Sequence, residues 1–268
     1  MQSVCALFPE AFFQRIVDFR GELCADPALG SIYDPPFVHM TLQLAEEYDW
    51  PGLESALAEV AREHQPFEMR TVGVLAFTGR GAAIAIAPYK DDELAKFHAV
   101  IWEAATEFAS GRVDPFYRPG HWVPHITVKR CGADDQSFGA AMQRLAKENF
   151  AGSMALEAIG VQHDPDKNSL THYMRLRFPL GGAASVEEAT TTDATIVQIA
   201  ERAADDPSRL LKIRTDDGRE IEEVWTAPRI VREMARAQSS LVHFTNARCR
   251  VESGGITAVV PNTPSPVR

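Results

Sequence analysis

No stretch of the 268 residues approaches the roughly 18 consecutive apolar residues that a membrane-spanning helix requires. No basic segment precedes an apolar run near the N-terminus, so the expected location is the cytoplasm. Cysteine is sparse: Cys5, Cys24, Cys131 and Cys249 are scattered, with no C-x-x-C pair. That spacing argues against a disulfide scaffold and a zinc ribbon, and suits free thiols in a reducing compartment. Clustered carboxylates and an H-x-x-x-H spacing are also lacking, so neither a metal nor any other cofactor is expected. Positive charge is short as well. With 27 Lys and Arg against 37 Asp and Glu, the formal net charge is -10, which argues against gripping long nucleic acid through its phosphates. Small nucleotides and chain ends stay open as ligands.

The chain does carry two short, similar strings. PPFVHMTLQL holds His39 and Thr41, and WVPHITVKR holds His125 and Thr127. Each reads His, apolar, Thr, apolar. On a strand, side chains at i and i+2 share one face, so each string sets an imidazole and a hydroxyl against an apolar face of Val38, Met40 and Leu42, or Ile126 and Val128. If the strands lie side by side, the pair forms a metal-free acid/base site for a phosphate. His-x-Thr alone is a weak signal, and a third copy, His243 with Thr245, lies in a region with no matching partner. It is read as a partly exposed strand residue.

Length allows one sizeable domain and a smaller one. The first half reads β, α, β, α, β, β: a strand from Ser3, a helix opened by Pro9, the His39 strand, a helix over Pro51–His64, and strands Phe67–Phe77 and Ala82–Pro88. The second half repeats much of that order, with a helix over Asp91–Ser110, the His125 strand, a helix over Asp134–Phe150, and strands Met154–Gln162 and Ser169–Phe178. The expectation is an α+β fold of two related lobes around a cleft, formed by antiparallel sheets with helices on their outer faces. It spans residues 1–180. Residues 181–192, small and polar, read as a linker. Residues 193–268 read as a small α+β module, with a helix near Ile196–Ala203, strands Leu210–Arg214 and Glu220–Trp225, a helix around Ile230–Ala237, and strands Ser240–Val251 and Gly255–Val260. Trp225 and Phe244 read as its core.

Both motif strings resemble the signature of the 2H phosphoesterases, the group that includes bacterial 2'-5' RNA ligases and cyclic phosphodiesterases. PHITVKR, Pro124–Arg130, is especially similar to that family's second motif. The resemblance covers about residues 1–180 and implies a bilobal fold with the motifs facing each other across a cleft. It further implies that His39 and His125 are the catalytic pair and that Thr41 and Thr127 bind phosphate.

A pair of imidazoles suits phosphodiester chemistry because the attacking and the leaving oxygen both need proton transfer. The expected activity is hydrolysis of a 2',3'-cyclic phosphate, or cleavage and ligation of a 2'-5' linkage. Spacing does not say which His is base and which is acid. Upstream of the second motif, Arg118 is a candidate for a phosphate contact and Trp122 for stacking a base, with core packing as the alternative for Trp122. Tyr173 and Arg175 fall on the polar face of the last strand of the main domain, where Arg175 could meet the phosphate. Lys129 shares the His125 face by alternation. The expected partner is a small nucleotide or an RNA end, with no membrane and no extended nucleic acid. The competing reading is a nucleotide-binding adaptor without turnover that recruits a protein through residues 193–268.

Overall fold

A computed structural model describes residues 1–26, 38–79, 82–130, 137–164, 173–182, 194–203, 206–252 and 255–261. The chain divides into two compact units. Met1–Phe13, Val38–Lys167 and Met174–Ser185 form the first; Gln14–Phe37, Asn168–Tyr173 and Val186–Arg268 form the second.

The first unit is built on strands β1 (Gln2–Leu7), β2 (Met40–Tyr48), β3 (Phe67–Phe77), β4 (Ala83–Pro88), β5 (Ala109–Val113), β6 (Ile126–Arg130), β7 (Gly152–Leu156), β8 (Ala158–His163) and β9 (Tyr173–Pro179). They run in the order β7-β3-β4-β6-β2-β1-β8-β9, with β5 on β2. Two four-stranded arms therefore meet at β6 and β2, where the only registered pair among the described residues is Met40 with Ile126. Each arm draws on both sequence halves. β1 pairs with β2 on one side and β8 on the other, while β3 pairs with β7 and β4 with β6. The single strand expected over 154–162 is two strands broken at Glu157, one in each arm.

Helices α1 (Glu10–Cys24), α2 (Trp50–Glu63), α3 (Asp92–Glu107) and α4 (Ser137–Leu145) connect the strands. The boundary between the units falls within α1, after Phe13. α3 is capped by Asp91, whose side chain accepts from the Leu94 amide at 2.9 Å, and Asp92 and Glu93 in its first turn suit the positive end of the helix. Leu94, Phe97, His98, Ile101 and Ala105 recur at helical spacing and are buried. α2 starts with Pro at its first turn and buries Leu53, Leu57 and Val60. Gln43, fully buried on β2, ties that strand to α3 by donating to the Trp102 carbonyl at 3.1 Å and to Thr106 Oγ1 at 2.7 Å. Among the described residues, no helix is long and apolar enough to cross a membrane.

In the second unit, β10 (Ala194–Ala203), β11 (Asp206–Thr215), β12 (Glu220–Trp225), β13 (Arg248–Glu252) and β14 (Gly255–Val260) form an antiparallel sheet ordered β12-β11-β10-β13-β14. With them goes α5 (Ala227–Arg236), and Trp225 and Phe244 are fully buried, edge to face at 6.1 Å. The helix expected near Ile196–Ala203 is strand β10. Its pairing with β11 shifts register twice, between Ile196 and Gln198 and between Glu201 and Ala203, so the two-residue alternation that marks a strand is interrupted. His243 lies in a 3-10 turn, Leu241–Phe244, rather than in a strand. Of the expected linker, Gly181 and Gly182 belong to a 3-10 turn that begins at Leu180, and residues 183–192 lie outside the described residues.

Candidate active site

The single Met40–Ile126 pair fixes the geometry of both motifs. Because β2 and β6 are antiparallel, one step along each strand sets His39 across from Thr127 and Thr41 across from His125. Met40 and Ile126 point the other way and are fully buried. All four polar residues therefore share one face, with the two histidines on a diagonal whose Cα separation is about 7–8 Å in such a ladder. They line a cavity of about 670 Å³.

Each motif strand bulges immediately after its threonine. β1 pairs Val4 with Gln43 but Cys5 with Thr41, leaving Leu42 as the extra residue. β4 pairs Ile84 with Lys129 but Ala85 with Thr127, leaving Val128 extra. A bulge changes the parity of every residue beyond it. Lys129, which simple alternation puts beside His125, is 5% exposed, and Arg130 lines the cavity instead. The corresponding positions on β2 are the buried Gln43 and then Leu44.

The His125 ring is held by two means. Its Nδ1 lies 2.9 Å from the Val123 carbonyl, which can only accept, so Nδ1 carries the proton and Nε2 is the acceptor of the neutral ring. Aromatic rings surround it: Phe77 edge-on at 4.8 Å, Phe116 at 6.1 Å, and Tyr117 more nearly parallel at 6.4 Å. Burial among them pushes the His125 pKa below its ordinary value, the Arg130 charge acts in the same direction, and the bond to Val123 opposes both. His39 is half-buried at the mouth of β2.

Phe116 and Tyr117 belong to a 3-10 turn, Pro115–Tyr117, capped by Asp114, whose Oδ1 accepts from the Phe116 amide at 3.0 Å. The Tyr117 hydroxyl bonds to the Thr41 side chain, and burial raises its pKa. Neither aromatic residue was expected from the sequence, although Asp114-Pro115 is a recognisable turn opener.

The secondary candidates lie elsewhere. Trp122 is 2% exposed; its ring stacks on His98 at 3.8 Å, and its Nε1 donates to the Thr41 carbonyl at 3.0 Å. It is a core residue that ties the segment before β6 to β2, and its face is not open to a base. Lys90 supports it, donating to the carbonyls of Trp122 at 3.0 Å and Pro119 at 3.1 Å. His98, fully buried, bonds the Leu42 carbonyl through Nε2 at 2.9 Å, and burial lowers its pKa to about 4. Arg118 is exposed at the end of the 3-10 turn and is not among the cavity-lining residues. Arg175 stacks over the Trp50 ring at 3.8 Å, away from the cavity lining. Tyr173 is 3% exposed, with its ring edge-on to His243 at 5.5 Å, and so falls in the second unit. The polar face expected for its strand fails at that end because Tyr173 is covered. Among the described residues, no three His, Cys, Asp or Glu side chains gather as a metal site.

A family model described as the 2'-5' RNA ligase superfamily matches residues 8–167. The chain belongs to this superfamily. The superfamily match contains both motifs and every residue that lines the cavity, and it ends before β9. Among solved structures, TT0787 of Thermus thermophilus aligns at 15% identity over 68% of this chain and 99% of its own, with a TM-score of 0.48. LigT of E. coli, complexed with 3'-AMP, aligns at 16% identity over 67% of this chain and 97% of its own, with a TM-score of 0.43. Usb1 of Kluyveromyces marxianus aligns at 11% identity over 67% and 97%, with a TM-score of 0.36. No curated protein matches the sequence.

Proposed function

We propose that this member of the 2'-5' RNA ligase superfamily is a metal-independent phosphodiesterase for small nucleotides or RNA ends. It would hydrolyse a 2',3'-cyclic phosphate, or cleave and join a 2'-5' linkage, by two-histidine acid/base catalysis. The observation that carries the reading is the crossed arrangement on one cavity face, with His39 opposite Thr127 and His125 opposite Thr41. A phosphate seated between the diagonal histidines has a hydroxyl on each side and Arg130 at the edge.

The surroundings of His125 favour it as the base for hydrolysis. Its pKa is depressed, and its Nδ1 proton is committed to Val123, so the neutral ring offers Nε2 to a water proton. Water then attacks phosphorus in line, one P–O bond to ribose breaks, and His39 as imidazolium gives its proton to the departing ribose oxygen. The two transfers leave His125 protonated and His39 neutral, and exchange with solvent resets both. Run in reverse with a ribose hydroxyl as nucleophile, the same groups form the linkage. A cytoplasmic location is part of the proposal and rests on the scattered cysteines, of which Cys5, Cys24 and Cys249 are buried.

The test is turnover of 2',3'-cyclic mononucleotides, 2'-5'-linked dinucleotides and cyclic dinucleotides in EDTA, beside His39→Ala and His125→Ala proteins. Turnover by the wild type that both variants lose is expected. Turnover that survives in either variant, or that EDTA abolishes, sinks the mechanism. Nucleotide binding without turnover of any substrate favours the adaptor reading.

A further inference from the structure

The cavity is larger than the group that reacts in it. At about 670 Å³ it falls among clefts that enclose a whole drug-sized ligand, about 300–1,000 Å³. The two His/Thr pairs and Arg130 account for a phosphate, and the rest of the lining includes the aromatic Phe77 and Phe116 and the acidic Asp114. Phe116 is 39% exposed, and Phe77 stands edge-on to it at 6.0 Å. The ring packs against Phe77 and the His125 ring on one side and keeps an exposed remainder, which a flat ligand would gain by covering.

Asp114 is out of place in a pocket for an anion alone, because a carboxylate repels phosphate. One of its oxygens accepts from the Phe116 amide at 3.0 Å, which holds the carboxylate against the backbone of the residue that carries the ring. An ionised carboxylate has about four acceptor sites and no donor, so Asp114 keeps capacity for N–H groups of a ligand.

We propose that Phe77, Phe116 and Asp114 form a nucleobase subsite that selects amino-bearing bases over uracil. The proposal rests on the phosphodiesterase reading for the position of the phosphate. The ring of Phe116 offers a stacking surface to any base, which supplies affinity without choice. Choice comes from Asp114: the exocyclic amine of cytosine donates to a carboxylate, whereas uracil presents a carbonyl at the same place and is repelled. Cytosine and uracil differ little in shape, so this pair isolates the carboxylate from the stacking surface.

The test measures binding of cytidine 3'-monophosphate, uridine 3'-monophosphate, a base-free methyl riboside 3-phosphate and inorganic phosphate, alongside turnover of the corresponding cyclic phosphates. Wild type is expected to bind the cytidine compound about tenfold tighter than the uridine one, and both tighter than the base-free compound. Phe116→Ala should weaken both nucleotides about tenfold more than it weakens inorganic phosphate; Asp114→Asn should abolish or reverse the cytosine preference. Equal binding of the base-free and base-bearing compounds overturns the subsite, as does an equal loss on every ligand in Phe116→Ala. A cytosine preference in binding without turnover of any cyclic phosphate removes the phosphodiesterase reading and leaves the subsite standing. Turnover without any base preference does the opposite.

Discussion

The two motif strands share one design and differ in what surrounds it. β2 and β6 both run buried, half-buried, buried, buried from the residue after the histidine, because each bulges at the position after its threonine. Past the bulge they part company. β6 turns Arg130 into the cavity and sets His125 within a wall of Phe77, Phe116 and Tyr117, whereas β2 has Leu44 in the equivalent place. β2 is instead gripped from behind, with carbonyls held by Trp122 and His98 and the Gln43 side chain tied to α3. A duplicated pattern thus supplies two imidazoles in unequal surroundings, and on the proposed mechanism that difference makes His125 the better base.

The largest expected effect comes from deleting the shared part. His125→Ala and His39→Ala should each lower turnover by about 10²–10⁴-fold, the usual contribution of a general acid or base. The double variant should fall little further, since the two groups serve one step. Their pH behaviour should separate them. A histidine whose pKa is depressed stays neutral until the pH falls below its ordinary value of 6.5, so the acid limb of the rate profile is expected below pH 6.5. An acid limb above 6.5 would assign the base to a different group.

The next effect probes what holds β2. His98 has a folded-state pKa near 4 against 6.5 unfolded, so the folded protein resists a proton that the unfolded chain accepts. Stability is unaffected above pH 6.5 and declines as pH falls from 6.5 to about 4, by roughly 3 kcal/mol at 1.36 kcal/mol per unit. Urea unfolding at pH 7.0, 5.5 and 4.5 should show that slope, reduced in His98→Gln. An equal slope in both proteins would mean that His98 does not govern it.

These contrasts show which parts of the site a sequence exposes. His39, Thr41, His125 and Thr127 could be found because they precede the bulges, where alternation still holds. Arg130 could not, since alternation points to Lys129 and a single inserted residue reverses the answer. Pairing of the arms was hidden for another reason. Local pattern marks β7 and β8 as strand without saying that a break at Glu157 sends them to opposite arms. Strand β10 was lost to its own register shifts, whereas the neighbouring β11 and β12 could be read from regular alternation on either side of Asp216-Asp217-Gly218. Trp122 shows the remaining limit: its position before the motif was visible, but an indole aimed at a backbone carbonyl and one aimed at a base have the same sequence.

Arg130 tests the asymmetry in front of the strands. Arg130→Gln should reduce turnover by about tenfold or more, in keeping with loss of a charge-assisted contact worth about 1.5–3 kcal/mol. It should also move the acid limb upward, because the Arg130 charge helps to depress the His125 pKa. A loss of rate with no movement of that limb would separate Arg130 from His125 and leave it a substrate contact only.

The smallest effect expected is at the tie behind them. Trp122→Phe keeps an aromatic ring against His98 and removes the bond from Nε1 to the Thr41 carbonyl. A neutral hydrogen bond contributes about 1 kcal/mol, so unfolding should show a loss of that order. If the tie only adds stability, turnover below the new unfolding transition will be unchanged. With one registered pair joining β2 to β6, the bond also restrains how far Thr41 sits from His125, so kcat should fall a few-fold with little change in KM. Trp122→Phe with native kcat would show that the Met40–Ile126 pair holds the two strands well enough on its own.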